Sequence, residues 1–537
     1  MEDRAAQDSR DSSPDFAAAT GALGSRRRQR RQRGVLEPDA TTARSSIEPP
    51  DDLPTETGQP LGSDSAERPR LPWGRSALTV VAITLLGLLK FGHPDLYDAL
   101  ERYVSEEGPC AWGSGCSGTD SPKWACDALT AAIAAMYGVG FLFEHLFSAE
   151  WMQQKRDFIQ AFAPPTYLFC DILDLSRERA HDCMSKKFIE AGALLIVRIF
   201  IAGFSCKSVS SLNSNKISCK SFLDGLTSTG GTLYGVYLHA RKYLPAIIIL
   251  ENVMGLLEDD MHMLVIKLFE SIGYLMFWWI LPPSLLGFPA RRPRVWFLGF
   301  RTSLLAQSGV DLACFRSLIE QVVATLTQGH GAFAFKDFLL PASDPYVERQ
   351  RREAAAERER RRAARAPPAA AIVAKWVVKH AQMKDTTRSH YTDELAEQFP
   401  EFDLLPDRIK DLLDKQNIRF PDDRRLVLEY SQSKVSVTRD EVSTLRPKGG
   451  IWLAFLARML YGREYLALQG LWIDWNGVAD DAFSELLLKD LGGNAFHAGV
   501  ALLMLTVALV GLAHIRRERM EAEFLSAFSK RRRTAPT

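Results

Sequence analysis

The sequence predicts an α/β fold, and three observations predict it. Strand-like and helix-like segments alternate from about residue 112 to 300, apolar runs end in small or polar residues, and a Gly/Ser-rich turn feeds an early helix. At 537 residues the chain is long enough for two or more domains with a sizeable core. The first 71 residues are poor in aromatics and rich in Ser, Pro, Arg and Asp, the composition of a disordered basic tail. Residues 72–110 then read as a helical lead-in, broken at Gly92–His93–Pro94.

The α/β region, 111–300, opens on Ala111–Trp112–Gly113–Ser114–Gly115–Cys116–Ser117–Gly118–Thr119–Asp120, read as a turn before a helix over 124–137. Backbone N–H groups at such a turn and the positive helix end are where a nucleotide-like cofactor docks. A strand over 139–147 leads into Ser148–Ala149–Glu150. By analogy with dinucleotide folds, an acid at that strand end grips ribose hydroxyls; the plainer reading is a glutamate opening a helix. A strand over 167–170 ends in Asp171–Ile172.

The apolar run 194–201 opens into Gly203–Phe204–Ser205–Cys206–Lys207, and a second buried strand, 246–250, runs into Glu251–Asn252–Val253. A thiol and a carboxyl at two strand ends can act on one substrate as nucleophile and proton donor. Between them, 227–235 is a turn opening a helix to 243; a helix over 261–272 and a strand over 295–299 follow. From 301 to 440 the pattern changes to a smaller, separate domain or insert. Its stretch 348–365 holds eight arginines and four glutamates, an exposed cationic helix or linker, and prolines in 366–371 end it. Residues 386–440 mix acidic helices with short strands such as 425–430; 441–515 return to the first domain, and 516–537 form a basic tail.

A net charge of +1 identifies no partner, but charge is uneven: 26–33 holds six arginines, and 530–533 is a second basic cluster. Such runs suit nuclear import or phosphate binding; the plainer reading is a solvated tail. The first apolar run begins near Ala77, so no amino-terminal signal peptide is read. Eight cysteines without a CxxC pair or regular spacing fit reduced thiols in an intracellular, nuclear protein, and no metal site is expected. The apolar stretches 77–89 and 498–513 both fall short of the roughly 20 residues that span a bilayer.

Five short motifs stand in a known order. Gly203–Phe204–Ser205–Cys206 is similar to a Gly-Phe-Pro-Cys-Gln loop, and Leu250–Glu251–Asn252–Val253 to a Glu-Asn-Val motif. Gly287–Phe288–Pro289–Ala290–Arg291–Arg292–Pro293–Arg294 resembles Gly-x-Pro-Gln-x-Arg-x-Arg, 458–470 a helix that holds a recognition domain, and Gly493–Asn494 a late Gly-Asn motif. Together they resemble the C5-cytosine methyltransferase family from about 115 to 512. Ser205, Lys207 and Ala290 depart from its pattern, as does the loop 116–120, where an aromatic and a glycine are usual.

The resemblance implies a Rossmann-like S-adenosyl-L-methionine-dependent methyltransferase sheet with a smaller inserted target-recognition domain at 301–440. It implies Cys206, Glu251, Arg294 and Arg292 as the catalytic set. Ser117, Gly118, Thr119, Asp120, Glu150 (ribose), Asp171 (adenine), Ile172 and Asn494 would surround the cofactor. Asn494 would cap the apolar helix 498–513, making it a core helix rather than a membrane anchor. The implied reaction is attack of Cys206 on cytosine C6 while Glu251 neutralises N3 and Arg294 binds O2, on a base flipped out of duplex DNA. An RNA-directed enzyme would use the same site. A nucleic-acid-binding relative without activity and a membrane-tethered protein are the competing classes.

Overall fold

The computed structural model describes residues 75–190, 192, 195–207, 209, 228–364, 401, 404, 405, 425–430, 436–447, 449–479 and 481–534. The tail 1–71 with its arginine run, Cys219, Thr227, the prolines of 366–371 and the acidic helices expected within 386–424 lie outside the described residues, as do the side chains of 530–533.

Nine strands form one sheet: β1 (Cys110–Gly115), β2 (Phe143–Ala149), β3 (Tyr167–Phe169), β4 (Arg179–Asp182), β5 (Lys187–Glu190), β6 (Ile199–Ala202), β7 (Ile247–Val253), β8 (Tyr274–Leu281) and β9 (Arg294–Arg301), in the order β5-β4-β3-β2-β1-β6-β7-β9-β8. The five strands from β3 to β7 in that order are parallel, and β9, β8, β4 and β5 are added antiparallel. The chain proceeds from β1 outward to β5 at the edge and then returns to β6 on the other side of β1. Crossovers therefore diverge between β1 and β6, and the crevice at their carboxyl ends is where open sheets bind ligands. The loops after these two strands are 116–121 and 203–209.

The expected turn at 111–115 is instead β1. Its glycines answer to packing: a Cβ on Gly113 would strike the Phe147 ring, and one on Gly115 would strike Ile172. The strand expected over 139–147 is shifted to Phe143–Ala149, and the one over 194–201 to the four residues of β6. The helices Arg75–Gly92 and Pro94–Glu106 match the expected break at His93.

The long helix Ala498–Thr534 is apolar enough over its first half to cross a membrane, yet 94% of its most apolar window is buried. It packs against Arg75–Gly92, Pro94–Glu106 and Pro122–Tyr137, filling one face of the sheet. Arg516 closes that contact by donating to Glu106 Oε2 and Glu107 Oε1, each at 2.8 Å.

A second sheet has the order β11-β10-β12-β13, from β10 (Leu426–Glu429), β11 (Ser436–Arg439), β12 (Ile451–Leu453) and β13 (Arg458–Met459), around Leu426, Leu428 and Trp452. It is thus centred later than the 301–440 expected for the inserted domain. The helices Thr302–Ser308 and Leu312–Leu326 belong to the main core, where Phe315, Ile319 and Val322 are fully buried. The second sheet is tied down by a buried pair, with Arg458 Nη1 2.8 Å from Glu464 Oε2 and Nη2 2.6 Å from Oε1. Glu464 also accepts the backbone N–H groups of Tyr461 and Leu340, so its lone pairs are used as a buried carboxylate requires.

Candidate active site

Cys206 stands in the loop after β6, and four contacts fix that loop. Gly203 N donates to Gly115 O (3.3 Å), Asn252 Nδ2 to Phe204 O (2.9 Å), Ser205 N to Thr232 Oγ1 (2.8 Å) and Val209 N to Cys206 O (3.1 Å). Ser205 stands where the resembling pattern has proline, and its N–H makes a bond that proline has no donor for. A Cβ on Gly203 would collide with the Phe496 ring, so this glycine lets the late segment close over the loop. Ser208, Ser210 and Ser211 lie outside the described residues.

Glu251 is on β7, and Arg294 begins the antiparallel neighbour β9, register-paired with Val253. Arg294 Nε lies 3.2 Å from Glu251 Oε1, both side chains being 13% exposed. Burial raises the Glu251 carboxyl above its usual range, against the pull of Arg294 and Arg292. Burial and the Glu251 charge raise the Cys206 thiol, and the same two arginines oppose them. Burial disfavours the charged form of Arg294. Thiol, carboxyl and guanidinium therefore share one electrostatic site, with the carboxyl biased toward holding a proton.

Arg292 is 4% exposed, and its guanidinium binds carbonyls: Leu445 O at 2.8 Å, Gly493 O at 2.9 Å and Ala495 O at 3.1 Å. It clamps the returning chain behind the site, which differs from the catalytic placement expected for it. Ala290 is buried and bridged to Val442.

At the mouth of β1, the loop turns its side chains inward. Ser117 Oγ meets Ser114 Oγ and Ala149 O, Thr119 Oγ1 meets Ser121 Oγ, and Asp120 accepts from Ser148 Oγ and lies 3.2 Å from His145 Nε2. Asp120 and Thr119 are fully buried, so these side chains face the interior rather than a ligand. Cys116, Gly118 and Asp120 have φ of 54°, 60° and 59°, which Gly118 adopts without strain. Glu150 fixes the loop, with Oε2 accepting from Gly118 N (2.9 Å) and Oε1 from Met152 N (3.0 Å). Asp171 is exposed and caps the short helix Ile172–Ser176 by accepting from Leu173 N. Ile172 is buried under Gly115 and Gly235.

Asn494 does not cap the long apolar helix. It ends the helix Glu485–Asn494, exposed, donating to Asp490 Oδ1. The capping is done by His497, whose Nδ1 accepts from Gly499 N at 3.2 Å. Burial pulls the His497 pKa to about 3, so the ring is neutral and free to accept. Asn494 does bring its backbone to the loop, its carbonyl lying 4.0 Å from where a Gly118 Cβ would sit.

Two residues given no role from the sequence belong to the site. Asn252 holds the cysteine loop, and its adjacency to Glu251 was the available signal. Trp151 is 70% exposed next to Glu150, with Lys207 Nζ 5.7 Å from its ring, linking the two loops. A positive-φ backbone loop, the buried Glu150, the exposed Asp171 and an open indole are a donor set that fits an adenosine-bearing cofactor.

Comparison with known proteins bears on this geometry. A family described as C-5 cytosine-specific DNA methylase matches residues 134–483, well over half of the chain and including Cys206, Glu251 and Arg294. A curated relative, the DNA (cytosine-5-)-methyltransferase DMT5 of Cryptococcus neoformans var. grubii, is 32% identical over 238 residues, 44% of this chain. The match spans only 9% of that relative's length. Among solved structures, a Spodoptera frugiperda DNMT2 mutant aligns with 74% of this chain and 99% of its own at 11% identity and a TM-score of 0.37. The Entamoeba histolytica methyltransferase EhMeth aligns with 75% and 98% at 10% identity and a TM-score of 0.40.

Proposed function

Because the chain belongs to the C-5 cytosine-specific DNA methylase family, whose members depend on S-adenosyl-L-methionine, we propose that it methylates cytosine C5 in DNA through a covalent Cys206 adduct. The observation that carries the reading is the cluster itself: a half-buried thiol at the end of β6 beside a carboxyl that burial holds toward its protonated form, paired to Arg294.

In this mechanism the Cys206 thiolate adds to C6 of a base turned out of its stack, and Glu251 gives its proton to N3, so that no full negative charge forms on the ring. Arg294 donates to O2, where charge would otherwise collect. The cofactor, when bound, supplies an electrophilic methyl group. Loss of the C5 proton to a base then expels Cys206 as thiolate, and N3 returns its proton to Glu251, which restores the neutral aromatic ring and the carboxyl. Asn252 and Thr232 hold the loop so that the sulfur is positioned before substrate arrives. Gly118, Glu150 and Asp171 would hold the cofactor, and Arg292 keeps the wall behind the site closed.

DNA is favoured by the family description and by the name of the curated relative. The test is denaturant-resistant trapping on matched DNA and RNA oligonucleotides carrying 5-fluorocytosine, with S-adenosyl-L-methionine present. An adduct on DNA that Cys206→Ala abolishes is expected. An adduct on RNA alone overturns the DNA reading, and an adduct that survives Cys206→Ala overturns the mechanism. The nuclear location belongs to the same proposal and rests on the arginine run 26–33; imaging a chain with that run replaced by glutamines tests it.

A further inference from the structure

We propose that Cys170, His181 and Cys183 form a zinc site on the flank of the sheet. No motif spacing announces it, because the ligands come from two antiparallel segments. Cys170 follows β3, His181 lies within β4, and Cys183 follows β4, with Phe169 register-paired to Asp182. That pairing gathers two sulfurs and an imidazole nitrogen within 4.8 Å of one another, the one such group of three potential ligands found among the described residues.

The frame around the ligands is built. Asp182 is 1% exposed, and its carboxylate accepts from the N–H groups of Leu168 (2.9 Å), Met184 (3.1 Å) and Ser185 (2.9 Å). Cys183 N donates to Leu168 O at 2.7 Å. Both strands are thus fixed immediately beside the ligands, which lowers the ordering cost of binding. The His181 ring stands edge-on to Phe188 of β5, with centroids 5.4 Å apart.

Two thiolates and an imidazole select a borderline-soft ion such as zinc over magnesium or calcium. Cys170 Sγ and Cys183 Sγ are 2.8 Å apart. Sulfurs on a tetrahedral zinc stand about 3.8 Å apart, from Zn–S bonds of about 2.3 Å, so the pair opens by about 1 Å on binding. Each thiol gives up its proton to solvent as its bond to the metal forms. All three ligands are half-buried, leaving the fourth position to water. Asp171 adjoins Cys170, so the metal would brace the strand end that carries one wall of the proposed cofactor site.

Cobalt(II) is the probe. The full chain, purified with reductant and stripped by chelator, is expected to bind one cobalt ion with sulfur-to-metal charge-transfer bands and intense tetrahedral visible bands, both erased by equimolar zinc. Cys170→Ser and Cys183→Ser should remove the charge-transfer intensity that depends on each sulfur, and His181→Ala should weaken binding about tenfold or more. Cys314→Ser, at an exposed cysteine elsewhere, should leave the spectrum unchanged. The proposal is overturned if the unmutated chain shows no such bands, if they persist undiminished in either cysteine variant, or if mass spectrometry finds the pair oxidised to a disulfide under reductant.

Discussion

Two loops leave neighbouring strands of one sheet and are built in opposite ways. The loop after β1 turns Ser117, Thr119 and Asp120 into the interior and bonds its own backbone internally, the Gly118 N–H being taken by Glu150. The loop after β6 has its backbone held from outside, by Asn252, Thr232 and Gly115, and leaves the Cys206 side chain to act. One loop makes a shape; the other presents a reagent. Removing the Asp120 side chain from the first should register as stability, removing the Cys206 side chain from the second as chemistry, and substitutions at the backbone supports of the second, Gly203 and Ser205, as stability.

The largest separation of the two is expected from Cys206→Ala, which should abolish adduct formation while leaving the thermal midpoint within about 2 °C of the parent, as trapping and calorimetry will read. Glu251→Gln should lower the rate of methyl transfer about 10²–10⁴-fold in single-turnover assays. Where Glu251 is ionised its charge raises the Cys206 thiol, and the variant removes that charge, so the thiolate should form at lower pH. Iodoacetamide labelling of the Cys206 peptide against pH, read by mass spectrometry, should show the rising limb moved to lower pH; a limb that stays in place refutes the coupling.

Asp120→Ala is the converse case. It removes the buried carboxylate beside Ser148 and His145, leaving those two to each other, and should cost about 1–3 kcal/mol in denaturant unfolding, with trapping retained in the fraction that is folded. Gly203→Ala drives a methyl group into Phe496 and should cost about 1–3 kcal/mol. Smallest is Ser205→Pro, which deletes the bond to Thr232 for about 1 kcal/mol. An Asp120→Ala chain of unchanged stability would break the contrast between the loops.

Much of this was legible in the sequence, and the misses have physical causes. The α/β alternation was readable because the buried strands β6, β7 and β9 are continuous apolar runs. Cys206 and Glu251 were readable because each stands where such a run ends, whereas Arg294 was singled out only by the resemblance over 287–294. The segment 111–115 was misread because its glycines resemble turn punctuation, whereas Phe147 and Ile172 occupy the space where side chains would stand. Asp120 was assigned outward because residue type does not disclose which way a side chain turns. Arg292 and Arg294 are alike in sequence, and only the carbonyls of Leu445, Gly493 and Ala495 separate a clamp from a site residue. The gathering of Cys170, His181 and Cys183 depends on strand register, which spacing alone leaves open.

The helix Ala498–Thr534 carries a consequence for biosynthesis. The helices Arg75–Gly92 and Pro94–Glu106 are among the earliest described segments to leave the ribosome; Pro122–Tyr137 follows soon and covers part of Arg75–Gly92, but the face that each turns to Ala498–Thr534 awaits a partner made some 400 residues later. At translation speeds of about 5–20 residues per second, that interval lasts roughly 20–80 s, with that part of their apolar surface uncovered. The nascent chain is therefore a client for chaperones until Ala498–Thr534 emerges, and chains stalled before residue 498 should be selectively captured by them.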